Sequence, residues 1–273
     1  MKSEIRRAFS NWGFVITLII LCLISSASAI STIHIDIVNT PSNSAGTNPF
    51  LGVRTLYNRW IAMVWDDPYS TIFFTILPLA AAIPSGASLY NDRRTGYIAQ
   101  MVIRKRRLKY LSERFLATFI SGGTVVTISV IVNICITALH FPVRKPDLYF
   151  DIYTSVQPFS FASTLFYTTP FIHMILRILV IFLYAGAAAV MCLATTCFSR
   201  NRYVILFSPM MIFLFLNFAY NVVHIPYELS PLRFLGAHNA QIMWAPIVWG
   251  EFFIFVCITT LLLWIWGRKK DVL

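Results

Sequence analysis

Two ionisable residues interrupt long apolar runs in this 273-residue chain: Arg177 in "HMILRILVIF" and Glu251 in "IVWGEFFIFV". In hydrocarbon a lone cation and a lone anion either neutralise one another as an ion pair or flank a shared polar cavity on a solute path. A third feature starts at Asn91, "NDRRTGYIAQMVIRKRRLKYLSERF", where seven of the nineteen residues up to Lys109 are Arg or Lys. Such a run binds nucleic acid, orients a membrane span, or docks against another protein. Other chemistry finds no set of residues. Cys22, Cys135, Cys192, Cys197 and Cys257 all fall in apolar runs without Cys-x-x-Cys spacing, and His34, His140, His173, His224 and His238 show no His-Glu-x-x-His pattern. No disulfide, metal site or catalytic set is expected.

The elements that position these residues follow from composition. Hydrophobic residues make up 58% of the chain and charged residues 12%, with a mean hydropathy of +0.70. Soluble domains carry about 25% charge and about half apolar residues, so this is the composition of a membrane protein. Runs near 20 residues, the length that crosses a ~30 Å hydrocarbon core, predict six transmembrane helices in one all-α domain over 1–273. They are Trp12–Ile30, Ser70–Tyr90, Phe115–Leu139, Phe171–Phe198, Tyr203–Val223 and Ile242–Gly267. With the N-terminus inside, the inner segments hold sixteen basic residues against four acids, and the outer segments five against six. Lys and Arg collect on the cytoplasmic side of short loops, so both termini are placed there. The start, "MKSEIRR" with an apolar run and "SASA" at Ser26–Ala29, has the outline of a signal peptide. Its apolar run is long for one, and a retained first span is expected. Because the basic residues sit beside spans, anionic lipid and insertion explain the net charge of +11, and no nucleic-acid partner is expected.

The loops add detail. Val53, Leu56, Tyr57, Trp60, Ile61, Val64 and Trp65 fall on one helical face, which either lies in the outer membrane interface or packs on neighbouring spans as core. The loops around 140–170 and 224–241 are rich in Pro, Phe and Tyr and read as partly embedded caps. Small residues at Ser121–Gly123 and Ala185–Ala189 let helix backbones approach closely, and Pro78 and Pro84 break the hydrogen-bond ladder of the second span.

Within the basic stretch, Tyr97, Ile98, Met101 and Val102 form a stripe along two helical turns, interrupted by four consecutive basic residues at Arg104–Arg107. A signal that only orients a span needs charges; it has no use for an acid, a glycine and a short amphipathic helix ahead of them. The order Asp92, Arg93, Arg94, Gly96, short helix, basic turn and "KYLSERFLATFISGG" resembles the permease subunits of type-2 ABC exporters (the ABC-2 family), in the six-span form found in Firmicutes. The resemblance implies a coupling helix that docks on a separate ATPase, with Tyr97, Ile98 and Met101 filling an apolar groove and Asp92, Arg93, Arg94 and Arg104 at its polar rim. It also implies two ATPase copies, a second permease subunit as homo- or heterodimer, surrounding membrane lipid, and residence in a bacterial cytoplasmic membrane. No G-x-x-x-x-G-K-S/T loop occurs in this sequence, so ATP and Mg would belong to the partner.

The expected function is therefore a transport subunit, not an enzyme, that moves an amphipathic peptide, drug or lipid outward. A bacteriocin-immunity or sensory protein without transport is the alternative. An intramembrane enzyme lacks paired catalytic groups, Arg177 and Glu251 being the only charges at depth. The charge asymmetry makes a direct prediction. Cysteines placed at Ser44 and Asn239 will react with a membrane-impermeant thiol reagent on intact cells and one at Thr95 will not; labelling at Thr95 from outside overturns the orientation.

Overall fold

The computed structural model describes residues 2–39, 54–64, 67–104, 107–146, 156, 160–223, 227–236 and 243–268. Among these the chain is all-helical. It comprises α1 (Lys2–Phe9), α2 (Trp12–Asn39), α3 (Leu56–Arg59), α4 (Pro68–Ala82), α5 (Ser88–Arg94), α6 (Tyr97–Arg104), α7 (Arg107–Ala138), α8 (Ser163–Thr168), α9 (Pro170–Thr195), α10 (Arg202–Val223), α11 (Pro231–Phe234) and α12 (Ala245–Arg268). The protein is embedded in a membrane. Five helices, α2, α7, α9, α10 and α12, are long and apolar enough to cross one. Their outward faces carry exposed Ile16, Ile19 and Leu23 on α2, Phe215 and Phe218 on α10, and Phe253, Ile254 and Leu261 on α12. That surface suits lipid tails, not water.

The sequence pattern gives six spans; among the described residues five helices are long and apolar enough to be one. The second expected span, Ser70–Tyr90, is divided: α4 has 15 residues, about 22 Å at 1.5 Å per residue, short of a ~30 Å core. Pro84 has no N–H to continue the ladder, and the chain turns through Ile83–Ala87 before α5 begins. The groups freed by the break are taken up by neighbours. Asn11 Nδ2 donates to the Pro84 carbonyl at 2.8 Å, and the Ser85 hydroxyl in the turn shares a 2.5 Å hydrogen bond with the Ser121 hydroxyl on α7. Broken backbone inside a membrane protein survives where such partners are supplied.

The helices alternate in direction between two ends of the bundle. Arg7, Arg114 and Arg202, and Arg107 stacked on Trp266, gather at what we call the basic end, where α2, α7 and α10 start and α4, α9 and α12 finish. At the opposite end Asp36, late in α2, meets Arg54 and, at 3.2 Å, His140. Helix α9 is the central element, most of it buried, and packs most extensively on α7, which in turn packs on α2.

The segment read as either interfacial helix or core is core. Trp60, Ile61, Ala62, Met63 and Val64 are all buried. They enter the bundle beside α7, where Asn133 is the bracket: its Oδ1 accepts from Ile61 N at 2.9 Å and its Nδ2 donates to Ser25 O at 2.8 Å on α2. Trp65, part of the same pattern, lies outside the described residues, as does most of 147–159 and 237–242.

The two small-residue motifs face one another. A Cβ on Gly122 would stand 2.5 Å from Ala189 Cβ and 2.8 Å from Ala81 O, so α4, α7 and α9 meet at a spacing that only glycine permits. Gly122→Ala should therefore cost about 1–3 kcal/mol by overpacking. Gly250→Ala, where nothing lies within 4 Å of the new Cβ, should be close to neutral. Thermal unfolding of the detergent-solubilised variants checks both, and equal midpoints would refute the tight crossing.

Candidate functional site

Helices α5 and α6 form an elbow at the basic end. Gly96 adopts φ +70°, the left-handed region that glycine enters without a Cβ penalty. Its N–H donates to Arg93 O at 3.3 Å, so the glycine ends α5 and turns the chain into α6. The acid, basic pair, glycine and helix of the sequence thus form a defined unit.

Its faces are disposed differently from the expectation. Ile98 is 6% exposed and packs with Leu89, Tyr110, Leu111, Val190, Leu193 and Trp266, while Tyr97 and Met101 cover the same cluster. The stripe read as partner-facing is the helix's inward face, because the bundle itself supplies an apolar groove for it. The outward face presents Arg94, Thr95, Gln100 and Ile103, the last 87% exposed. Arg93 is half-buried. The Arg104 side chain lies outside the described residues.

Asp92 likewise does not reach a rim. It is fully buried and forms the centre of an ionic cluster built from three parts of the chain. Arg114 on α7 pairs with both Asp92 and Glu4, the latter on α1. Arg7 donates to Asp92 Oδ1 at 2.5 Å, and the Tyr110 hydroxyl donates to Oδ2 at 2.6 Å. Glu4 is 1% exposed and Arg114 2%. The Arg7 guanidinium also stacks on the Tyr97 ring, 4.9 Å from its centroid, so α1 touches both arms of the elbow. Partial burial of Arg7 opposes its charge, but its bond to Asp92 and the nearby carboxylates outweigh this and raise its pKa further. Sequence reading missed the cluster, since Glu4, Asp92 and Arg114 are distant in the chain. The one available signal was that Glu4 and Asp92 are rare acids among many bases.

Arg177 and Glu251 do not form the ion pair expected of them. Arg177 Nη1 donates to Phe234 O at 2.9 Å and to Met243 Sδ at 2.8 Å, and Nη2 to Ala62 O at 3.3 Å and Leu235 O at 3.5 Å. Phe234 and Leu235 end α11, where carbonyls are left without helical partners and the dipole is negative. A guanidinium offers five donors, and a ring of carbonyls meets that geometry better than one carboxylate. Glu251 sits near Tyr184, whose hydroxyl donates to Val248 O at 2.6 Å, and its Oε2 has no partner among the described residues. Above it, burial raises the pKa of Glu228, with Arg233 and the Ser230 N–H acting against the shift. Cys197 is likewise held up at about 11 by burial, against Arg93 and Arg107, which fits a packing role for this thiol.

No family model matches the chain, and neither a curated protein nor a solved structure matches it.

The cluster makes a quantitative prediction. Replacing Arg114 by Met leaves two buried carboxylates without their shared cation, a change expected to cost about 3–5 kcal/mol. Adding Glu4→Gln and Asp92→Asn should recover a large part of that loss. Thermal unfolding in detergent measures both, and a single variant as stable as the parent would show the cluster to be inert.

Proposed function

We propose that this chain is the membrane subunit of an ATP-driven exporter of the ABC-2 type, its both termini in the cytoplasm. The observation that carries the reading is an exposed face on α6 seated directly above a buried ionic cluster. Ile103 stands almost wholly free on α6, Gln100 one turn before it is exposed as well, and Arg94 and Thr95 are exposed at the elbow, a mixed apolar and polar surface of the kind that docks in a partner's groove.

The residues behind that face provide a path for movement. A push on α6 is received by Ile98 and Tyr97 against Leu111, Tyr110 and Trp266 on α7 and α12. The same push turns α5 about Gly96 and acts on Asp92, which is bonded to α1 through Arg7 and to α7 through Tyr110 and Arg114. Buried ion-paired groups transmit displacement because any lag between them would strand a buried charge. On this reading two ATPase subunits bind and hydrolyse ATP with Mg, a second permease completes the pathway, and the cargo is an amphipathic peptide, drug or lipid. The broken second pass, α4 to α5, is the element poised to move with the elbow.

The test is a pull-down from native membranes with the tagged full chain, followed by identification of any co-purifying protein with a Walker A loop. The parent chain should retain such an ATPase, and Ile103→Glu with Arg94→Glu should lose it while remaining inserted. Retention of the complex with full ATP turnover by the double variant would move docking elsewhere, and absence of any ATPase from the parent would remove the exporter reading.

A further inference from the structure

A groove of about 500 Å³ lies between the start of α7 and the last turns of α12, at the basic end. Leu108, Leu111 and Leu116 line it from α7, and Leu263 and Trp264 from α12. Leu111 and Leu263 are buried and form its floor, while Leu108, Leu116 and Trp264 stand exposed along its sides. Two hydroxyls also line it, and neither calls for a ligand. Ser112 Oγ donates to Lys109 O at 3.0 Å and Thr260 Oγ1 to Val256 O at 2.8 Å, each within its own helix. An apolar occupant therefore leaves no polar group of the groove unmet.

The surface end of the groove is charged. Lys109, exposed in the first turn of α7, lines it directly, and Arg268, the exposed last residue of α12, stacks on the Trp264 ring at 3.6 Å from its centroid. Neither cation forms an ion pair among the described residues. From this end the trough runs inward. Thr260 lies eight residues before Arg268, about 12 Å along α12, and Leu116 seven after Lys109, about 10 Å along α7. What fits is an anion at one end with an apolar chain below it. A second copy of this chain inserted in the same direction would bring its own basic end to this level and set cation against cation.

We propose that this groove is a binding site for an anionic phospholipid, with one acyl chain along the trough and the phosphate against Lys109 and Arg268. Long basic side chains at helix ends extend over apolar surface and carry their charge to headgroup level. The Trp264 ring, apolar on its face and polar at its N–H, suits the boundary between headgroup and chain. A lipid with net negative charge answers both cations, whereas a zwitterionic one brings a cation of its own. Seated there, the lipid would join the end of α12 to the start of α7. The inference does not rest on the exporter reading, since it concerns this chain alone.

The test is native mass spectrometry of the full chain in detergent, with phosphatidylglycerol and phosphatidylcholine as competing probes. The parent should retain phosphatidylglycerol over phosphatidylcholine. Lys109→Gln and Arg268→Gln should each weaken that preference roughly five-fold, about what one basic residue contributes beside an anionic membrane surface. Ser112→Trp, which fills the trough and leaves both cations in place, should lose the bound lipid altogether. All three positions are exposed, so the variants should keep the parent's thermal midpoint. No preference in the parent, or phosphatidylglycerol held undiminished by Ser112→Trp, overturns the proposal. So does a parent dimer that Ser112→Trp converts to a monomer, which would give the groove to a second copy.

Discussion

A guanidinium removed from water must be surrounded by oxygen, and two such groups organise this protein. Arg114 at the basic end collects carboxylates from α1 and α5; Arg177 toward the opposite end collects carbonyls from Ala62, Phe234 and Leu235. In each case the cation draws in segments that do not cross the membrane. The cost of leaving either charge unmet is several kcal/mol. Short helices that could not hold themselves in place are thereby fixed against the long ones.

Between these two points the bundle is held by closeness. Where Gly122 meets Ala185 and Ala189 no side-chain bulk separates α7 from α9, so dispersion and backbone contact replace the hydrophobic effect, which does not act between helices in lipid. Among the polar residues inside, Asn133 ties the entering segment at Ile61 N to the α2 carbonyl of Ser25. At the Pro84 break after α4 and at the entering segment 60–64 alike, an asparagine side chain meets an open backbone group.

The long helices were legible because hydropathy over about 20 residues is a summed signal that no single contact alters. The short pass was not. Ser70–Tyr90 carries no charge and both of its prolines read as breaks, yet α4 runs through Pro78 and stops just before Pro84, where Asn11 meets the open carbonyl. Similarly the apolar stripe Tyr97, Ile98 and Met101 was readable as a face, but which neighbour covers a face is a tertiary fact. Here Trp266, at the far end of the chain, takes the place assigned to a partner. Of the two isolated charges, Arg177 is surrounded by acceptors, while Glu251 keeps an oxygen with none among the described residues. The acceptors around Arg177 are mostly carbonyls, and a pattern of side chains says nothing about where carbonyls are left open.

The pairing of Glu4 with Arg114 also sets an order on how the molecule comes into being. The two residues are 110 apart in sequence, and at roughly 5–20 residues per second of synthesis the glutamate emerges about 5–20 s before its counter-ion exists. For most of that interval α1 has neither Asp92 nor Arg114 to hold it, Asp92 preceding Arg114 by 22 residues, and α2 is already available for insertion. The N-terminal helix is thus a late-closing part of an early-made segment. Its seating reports that α5 and the start of α7 have arrived on the same side of the membrane, which makes the cluster a checkpoint of topology during biogenesis.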